Sequence, residues 1–335
     1  MILKIIKNEL SLVLQLTIRI ILITKHGIIW LLTNLRSGMS NSMTCLNGKT
    51  AIVTGGNSGV GYMTTMLLAS RGCKVIIACR RNAKKEVEEI KKKTNNPNIT
   101  FTHLDLCEFA SVRQFAENIK KEESKIDILI NNAGIGCSDQ KLTKDGLDAV
   151  MQANYLGHFL LTHLLIDLLK AADEGRIAFL TSGLSAVHNI SVNKLYPSTS
   201  RIVDTFIEAY CNSKACNVLV VHEMAKKLGK YGIKVNAADP GLVVTPIYDS
   251  LKGPEKGKLC VGMVFKTVFP LLASDLFKAA QTPFHVVTSK DIVTGSHYFK
   301  CVAMPKLRGL DDKQFCEKIW QESERIVRLQ PEESL

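Results

Sequence analysis

The chain has 335 residues, 46% of them hydrophobic and only 9 of them proline, which excludes a disordered chain and leaves one large core or two modest ones. A formal net charge of +12 raises the question of nucleic acid, but only 6% of residues are aromatic and no basic stripe is interleaved with them, which argues against it. Ten scattered cysteines without a C-x-x-C pair point to reduced thiols, not to a disulfide framework or a structural zinc site.

Residues 1–49 carry Lys4, Lys7, Arg19, Lys25, Arg36 and Lys49 against Glu9 alone. The longest charge-free stretches of the apolar start, Leu10–Ile18 and His26–Leu35, both fall short of the ~20 residues that span a bilayer. No small-residue cleavage site closes it. On a helical projection most Leu and Ile lie opposite Lys4, Lys7, Lys25 and Arg36. Residues 1–40 are therefore expected to form a basic, amphipathic, membrane-associated segment lying in the interface. A spanning helix with Arg19 snorkelling and an ordinary packed helix are the alternatives.

From Asn47 the texture changes. A short strand at Ala51–Thr54 leads into glycines, then a helical pattern to Ser70, a stop at Gly72 and a second strand at Lys74–Cys79. Such a βαβ unit is the context a dinucleotide loop requires, and Gly55, Gly59 and Gly61 are spaced G-x-x-x-G-x-G, enclosing Asn57, Ser58 and Val60. Gly55 permits the sharp turn, Gly59 a close approach of backbone to pyrophosphate, and Gly61 the closing of helix on strand. A carboxylate ending the second strand would bind ribose hydroxyls. Here Arg80 and Arg81 follow Cys79, and paired guanidiniums suit a 2′-phosphate, so NADP(H) is the expected cofactor.

Strand three reads over 98–106, with Asp105 and Leu106 at its adenine-facing end; strand four over 126–134, strand five over 176–182 and strand six over 233–241. This alternation of strand and helix predicts an α/β, doubly wound, mostly parallel sheet with its ligand at the carboxyl ends of the strands. Asn132, Ala133, Gly134, Ser182, Pro240 and Gly241 all fall at those ends. In "EAYCNSKACN", Tyr210 and Lys214 stand four apart, one turn along a helix face. The spacing alone is weak, since Tyr248 and Lys252 repeat it after the Pro-Gly turn.

Six motifs in order, "TGGNSGVG" (54–61), "NNAG" (131–134), "ANYLGHFLLT" (153–162), "RIAFLTS" (176–182), "YCNSK" (210–214) and "DPGLVVT" (239–245), closely resemble the short-chain dehydrogenase/reductase family. The resemblance implies a single Rossmann domain over 47–305, a C-terminal helix and tail over 306–335, and a catalytic quartet. Tyr210 would be the general acid and base, Lys214 would lower its pKa and hold the nicotinamide ribose, Ser182 would polarise the substrate carbonyl, and Asn154 would anchor a proton-relaying water. Thr245 would contact the carboxamide, and Asn132–Gly134 would line the adenosine side.

Ser182 and Tyr210 lie further apart than is usual in the family, separated by an insertion over 189–208, and in this the chain is similar to the retinol dehydrogenase-like group. That group's membrane-associated N-termini and preference for NADP(H) agree with the reading of 1–36 and Arg80. An apolar stretch over 258–277 reads either as a core helix or as a lid over an oily substrate. Together these features imply a lipophilic alcohol, aldehyde or ketone of retinoid, steroid or isoprenoid type. They place the protein on a membrane, expected to be the endoplasmic reticulum with the catalytic domain facing the cytosol, with mitochondria and lipid droplets as alternatives. The family's habit of pairing leaves a homodimer open. The rival functional reading is a catalytically silent nucleotide-binding scaffold.

Overall fold

The computed structural model describes residues 38–136, 142–197, 204–243, 274–307, 309 and 311–335. The N-terminal segment up to residue 37, Thr245, Tyr248, Lys252 and all but the last four residues of the stretch 258–277 lie outside them. Among the described residues no helix is long and apolar enough to cross a membrane.

Eight strands form one sheet: β1 (Thr50–Thr54), β2 (Lys74–Cys79), β3 (Ile99–His103), β4 (Ile128–Asn131), β5 (Arg176–Leu180), β6 (Lys234–Asp239), β7 (His297–Phe299) and β8 (Val302–Ala303). Their order is β3-β2-β1-β4-β5-β6-β7-β8, parallel throughout except for the antiparallel β7–β8 edge. The helices are α1 (Gly59–Ala69), α2 (Lys84–Thr94), α3 (Phe109–Glu122), α4 (Ala149–Met151), α5 (Gly157–Leu164), α6 (Ile166–Lys170), α7 (Asp204–Leu228), α8 (Leu276–Thr288) and α9 (Lys313–Ile326). The central strands are continuous apolar runs because both faces are covered. Ile52, Ile76, Leu129, Ile177 and Phe179 point into a core layer shared with α3, α5 and α7. Their neighbours Ala51, Val53, Val75, Ile77, Ile130 and Leu180 point into the other, shared with α1, α2 and α8. This is the doubly wound α/β arrangement that the sequence predicts.

The strands end earlier than the sequence pattern suggests, at His103, Asn131, Leu180 and Asp239. After Asn131 and Asp239 the chain leaves the ladder as backbone N–H groups turn to side-chain acceptors. The N–H groups of Asn132 and Ala133 donate to Thr54 Oγ1 at 2.8 and 2.9 Å, and that of Gly241 to Asp239 Oδ1 at 2.8 Å. The first pair fastens the tail of β4 to the end of β1, where the strand order reverses.

Both ends of the described chain are fastened to this body. Ser42 Oγ and Thr44 Oγ1 donate to the carbonyl of Thr288 at the end of α8. At the other end, Cys316, Ile319 and Trp320 of α9 belong to the main core layer. The eight described cysteines are free thiols.

Candidate active site

The glycine loop shows what a nucleotide cradle needs. Gly55 has φ +64°, and a Cβ there would stand 3.1 Å from the Ala133 Cα. At Gly61 a Cβ would come within 2.4 Å of the Gly55 carbonyl oxygen and 2.3 Å of Asn132 Nδ2. The loop, the start of α1 and the tail of β4 are thus pressed together, with Asn132 Nδ2 donating to the Thr54 carbonyl at 2.7 Å. Asn57, Ser58 and Gly59 stay partly accessible at the helix start, where free N–H groups favour an anion. Val60 is buried beneath them. Arg80 and Arg81 are exposed just past β2, Asp105 is half-buried with Oδ1 held by the Cys107 N–H at 2.9 Å, and Leu106 is buried. Pro240 and Gly241 are half-buried after β6. The residues fit a dinucleotide with a phosphate on its adenosine ribose.

Asn154 sits in the middle of a π-helical turn, Gln152–Leu156, between α4 and α5. Such turns displace one residue from the α ladder and are frequent at functional sites. The freed Asn154 carbonyl accepts from Asn217 Nδ2 at 3.1 Å and lies 3.2 Å from His158 Nδ1. Its side chain grips the backbone of Ile135, with Oδ1 accepting from the N–H at 2.8 Å and Nδ2 donating to the carbonyl at 3.0 Å.

Lys214 is buried on α7, and its Nζ donates to the Leu180 carbonyl at the tail of β5 at 3.1 Å. Thr181 Oγ1 donates to the Lys214 carbonyl at 2.8 Å, fastening the helix to the strand end from the other direction. The Tyr210 ring, half-buried one turn earlier, has its centroid 5.7 Å from that ammonium. Gly134 lies between the two polar groups. A Cβ there would stand 3.1 Å from Asn154 Oδ1 and 3.4 Å from Lys214 Nζ. Ser182 begins a 3-10 turn, Gly183–Val187, that packs on α7. Its Oγ accepts from the Leu184 N–H at 3.3 Å, which leaves the hydroxyl proton for a second acceptor.

Burial sets the electrostatics. Desolvation draws the Lys214 ammonium down to about 8, with the Asp239 carboxylate acting the other way. Asp239, at the end of β6, is itself raised to about 6 by burial, against the Gly241 N–H and Lys214. His158 is held neutral, down to about 3, by complete burial. Its Nε2 is 2.9 Å from Thr54 Oγ1, so the imidazole joins the cradle floor to the π-turn.

A family model described as short chain dehydrogenase matches residues 49–256. The chain belongs to the short-chain dehydrogenase family. Retinol dehydrogenase 13 of Homo sapiens is 34% identical over 299 residues, 88% of each chain, and retinol dehydrogenase 11 of Mus musculus is 34% identical over 278 residues, 80% of this chain and 82% of that one. A solved structure of an uncharacterized protein from Mycobacterium paratuberculosis superposes with TM-score 0.66 at 27% identity, over 84% of this chain and 94% of its own. A short chain dehydrogenase from Escherichia coli CFT073, complexed with NADPH, shares the fold with TM-score 0.59 at 22% identity, over 76% and 97%. The chain is accordingly an oxidoreductase of CH–OH groups, in the retinol dehydrogenase-like part of the family.

Within this dehydrogenase the structure adds residues that motif reading passed over. Thr54 takes two N–H groups from the β4 tail, and Asn217, three past Lys214, donates to both the Asn154 and Leu180 carbonyls. An Asn on the Lys214 face, one turn on, was the available signal. Within the insertion Lys194 pairs with Glu208, and Tyr196 fastens it to Glu322 and Arg325 of α9.

Proposed function

We propose that the protein is an NADP(H)-dependent dehydrogenase that interconverts a lipophilic alcohol with its aldehyde or ketone. The observation that carries this is the position of Lys214, whose buried ammonium contacts the tail of β5 and lies one turn beneath the Tyr210 ring. Bound in the cradle, the nicotinamide cofactor supplies or accepts the hydride. Tyr210 gives the proton to the oxygen during reduction and takes it back during oxidation. An ordinary phenol near pKa 10 serves poorly at neutral pH, and a desolvated ammonium beside it favours the phenolate. Ser182 donates to the substrate oxygen and so polarises the carbonyl. Asn154, locked by Ile135, holds the turn that faces Lys214 across Gly134 and the water that relays protons to it. Gly55–Gly61 and Asn132–Gly134 hold the nucleotide, Asp105 and Leu106 the adenine, Pro240, Gly241 and Thr245 the nicotinamide side.

The lipophilic substrate is supported by Leu184 and Val187, which are 45% and 46% exposed on the turn directly after Ser182. It is also supported by relatives named retinol dehydrogenases. Residues 1–40 attach the domain, 47–305, to a membrane surface, that of the endoplasmic reticulum, from the cytosolic side. The test is a screen of purified protein against retinoid, steroid and isoprenoid carbonyls, with NADPH and NADH side by side. Turnover confined to small polar carbonyls would sink the lipophilic assignment.

The cofactor preference has its own test. Replacing Arg80 and Arg81 with Ala removes charge-assisted hydrogen bonds of about 1.5–3 kcal/mol each, so one lost contact raises KM for NADPH roughly 10- to 100-fold. KM for NADH stays near its original value, because NADH has no 2′-phosphate to lose. An equal loss for both cofactors would make the arginines general anchors and leave the preference unexplained.

A further inference from the structure

Asp239 is a buried carboxylate at the strand tails for which proton transfer has so far needed no role. It is 3% exposed; Oδ1 accepts the Gly241 N–H at 2.8 Å, and Oδ2 stands 4.0 Å from His297 Nε2 and 3.6 Å from where a Cβ on Gly183 would sit. The group therefore reaches under the turn that carries Ser182. Among the described residues, the titratable groups facing it are His297 from β7 and, within electrostatic reach, Lys214 from α7, whose Nζ bonds the carbonyl of Leu180, the register partner of Ala238 next to Asp239; the Ser182–Gly183 turn lies over it from β5.

A buried ammonium is costly without a counter-charge. The direct contact of Lys214 Nζ is a neutral carbonyl, that of Leu180. We propose that Asp239 is a positioning residue for the reaction, the buried counter-charge to the Lys214 ammonium at the neighbouring strand tail, acting on Tyr210 through it. This rests on the assignment of Tyr210 and Lys214 to proton transfer.

The direction follows from the two groups together. Burial lifts the carboxyl to about 6 and draws the ammonium down to about 8, so between those values both carry charge and each stabilises the other. Below about 6 the carboxyl is neutral and its influence disappears. Removing the anion takes away an influence that raises Lys214, so the ammonium is lost at lower pH. In the direction of carbonyl reduction, the alkaline limb of the rate moves toward neutrality.

Asp239→Asn tests this, since the amide oxygen can still accept the Gly241 N–H; Asp239→Ser is the second variant if the first does not fold. In lysine-15N-labelled protein, the Nζ resonance of Lys214 is identified by its loss in Lys214→Met and titrated by NMR. Its midpoint should fall by about half to one pH unit in Asp239→Asn, and Asp239→Glu should restore most of it. An unchanged midpoint overturns the proposal. In kinetics, the ratio of variant to wild-type kcat for reduction should stay near one below pH 6 and fall several-fold by pH 8. A loss equal at every pH marks a structural role only and also overturns it. Absence of turnover in the wild type would sink the functional reading, while the NMR titration would still decide the charge coupling.

Discussion

Tyr210→Phe should lower turnover by about a thousandfold while leaving NADPH affinity within a factor of about two, because general acid–base groups contribute 10²–10⁴-fold and the lost hydroxyl bears on the chemical step. The substitution removes one oxygen from a half-buried ring and leaves the ring's packing over Lys214 in place, so the fold has no reason to change. Single-turnover hydride transfer, followed at the nicotinamide absorbance, reads the chemistry; quenching of tryptophan fluorescence by NADPH reads binding. Lost binding together with lost turnover would mean that the residue belongs to the cradle. Full activity would move proton transfer to another group, of which Tyr248 with Lys252 is the sequence's own alternative.

Tyr210 and Lys214 show why part of the candidate site was legible in the sequence. Both lie on one continuous helix, α7, so a spacing of four maps directly onto geometry. The glycine loop was legible in part for a similar reason: the approach of Gly61 to the Gly55 carbonyl spans six residues of chain, whereas the contacts of both with Asn132 come from the tail of β4. Strand tails were less so. Their apolar pattern runs on past the last ladder bond, and only the tertiary partners, Thr54 for Asn132 and Ala133, show where pairing stops. Asn154 could be matched to a motif, yet the π-turn that presents it leaves no mark in the local sequence, since it depends on Asn217 from 63 residues away and on His158 bridging to Thr54. Asp239 was in plain view as part of a motif. Its burial comes from the packing of β6 under α7, which no spacing encodes.

Trp320→Ala should cost about 3–5 kcal/mol of stability, the range for deleting a fully buried large aromatic side chain. Residues 306–335 read from sequence as a helix and tail beyond the catalytic domain, but Trp320 is 1% exposed and stands edge-on to Phe159 of α5 at 5.1 Å between ring centroids. Its indole N–H donates to Glu324 at 2.8 Å, and Lys227 of α7 lies 5.0 Å over its face. One turn along α9, Ser323 Oγ lies 2.7 Å from the buried hydroxyl of Tyr155, the residue next to Asn154 in the π-turn. The α9 helix is therefore the outer wall of the layer that shapes the catalytic turn. The substitution opens a cavity against Phe159 and His163, and so loosens the support behind Asn154 as well as the core. Urea unfolding should show the loss as a lower midpoint with an unchanged slope, and kcat at permissive temperature should fall by more than affinity for NADPH. A variant as stable as the wild type would show that α9 is an appendage, and the path from the C-terminal helix to Asn154 would have to be abandoned.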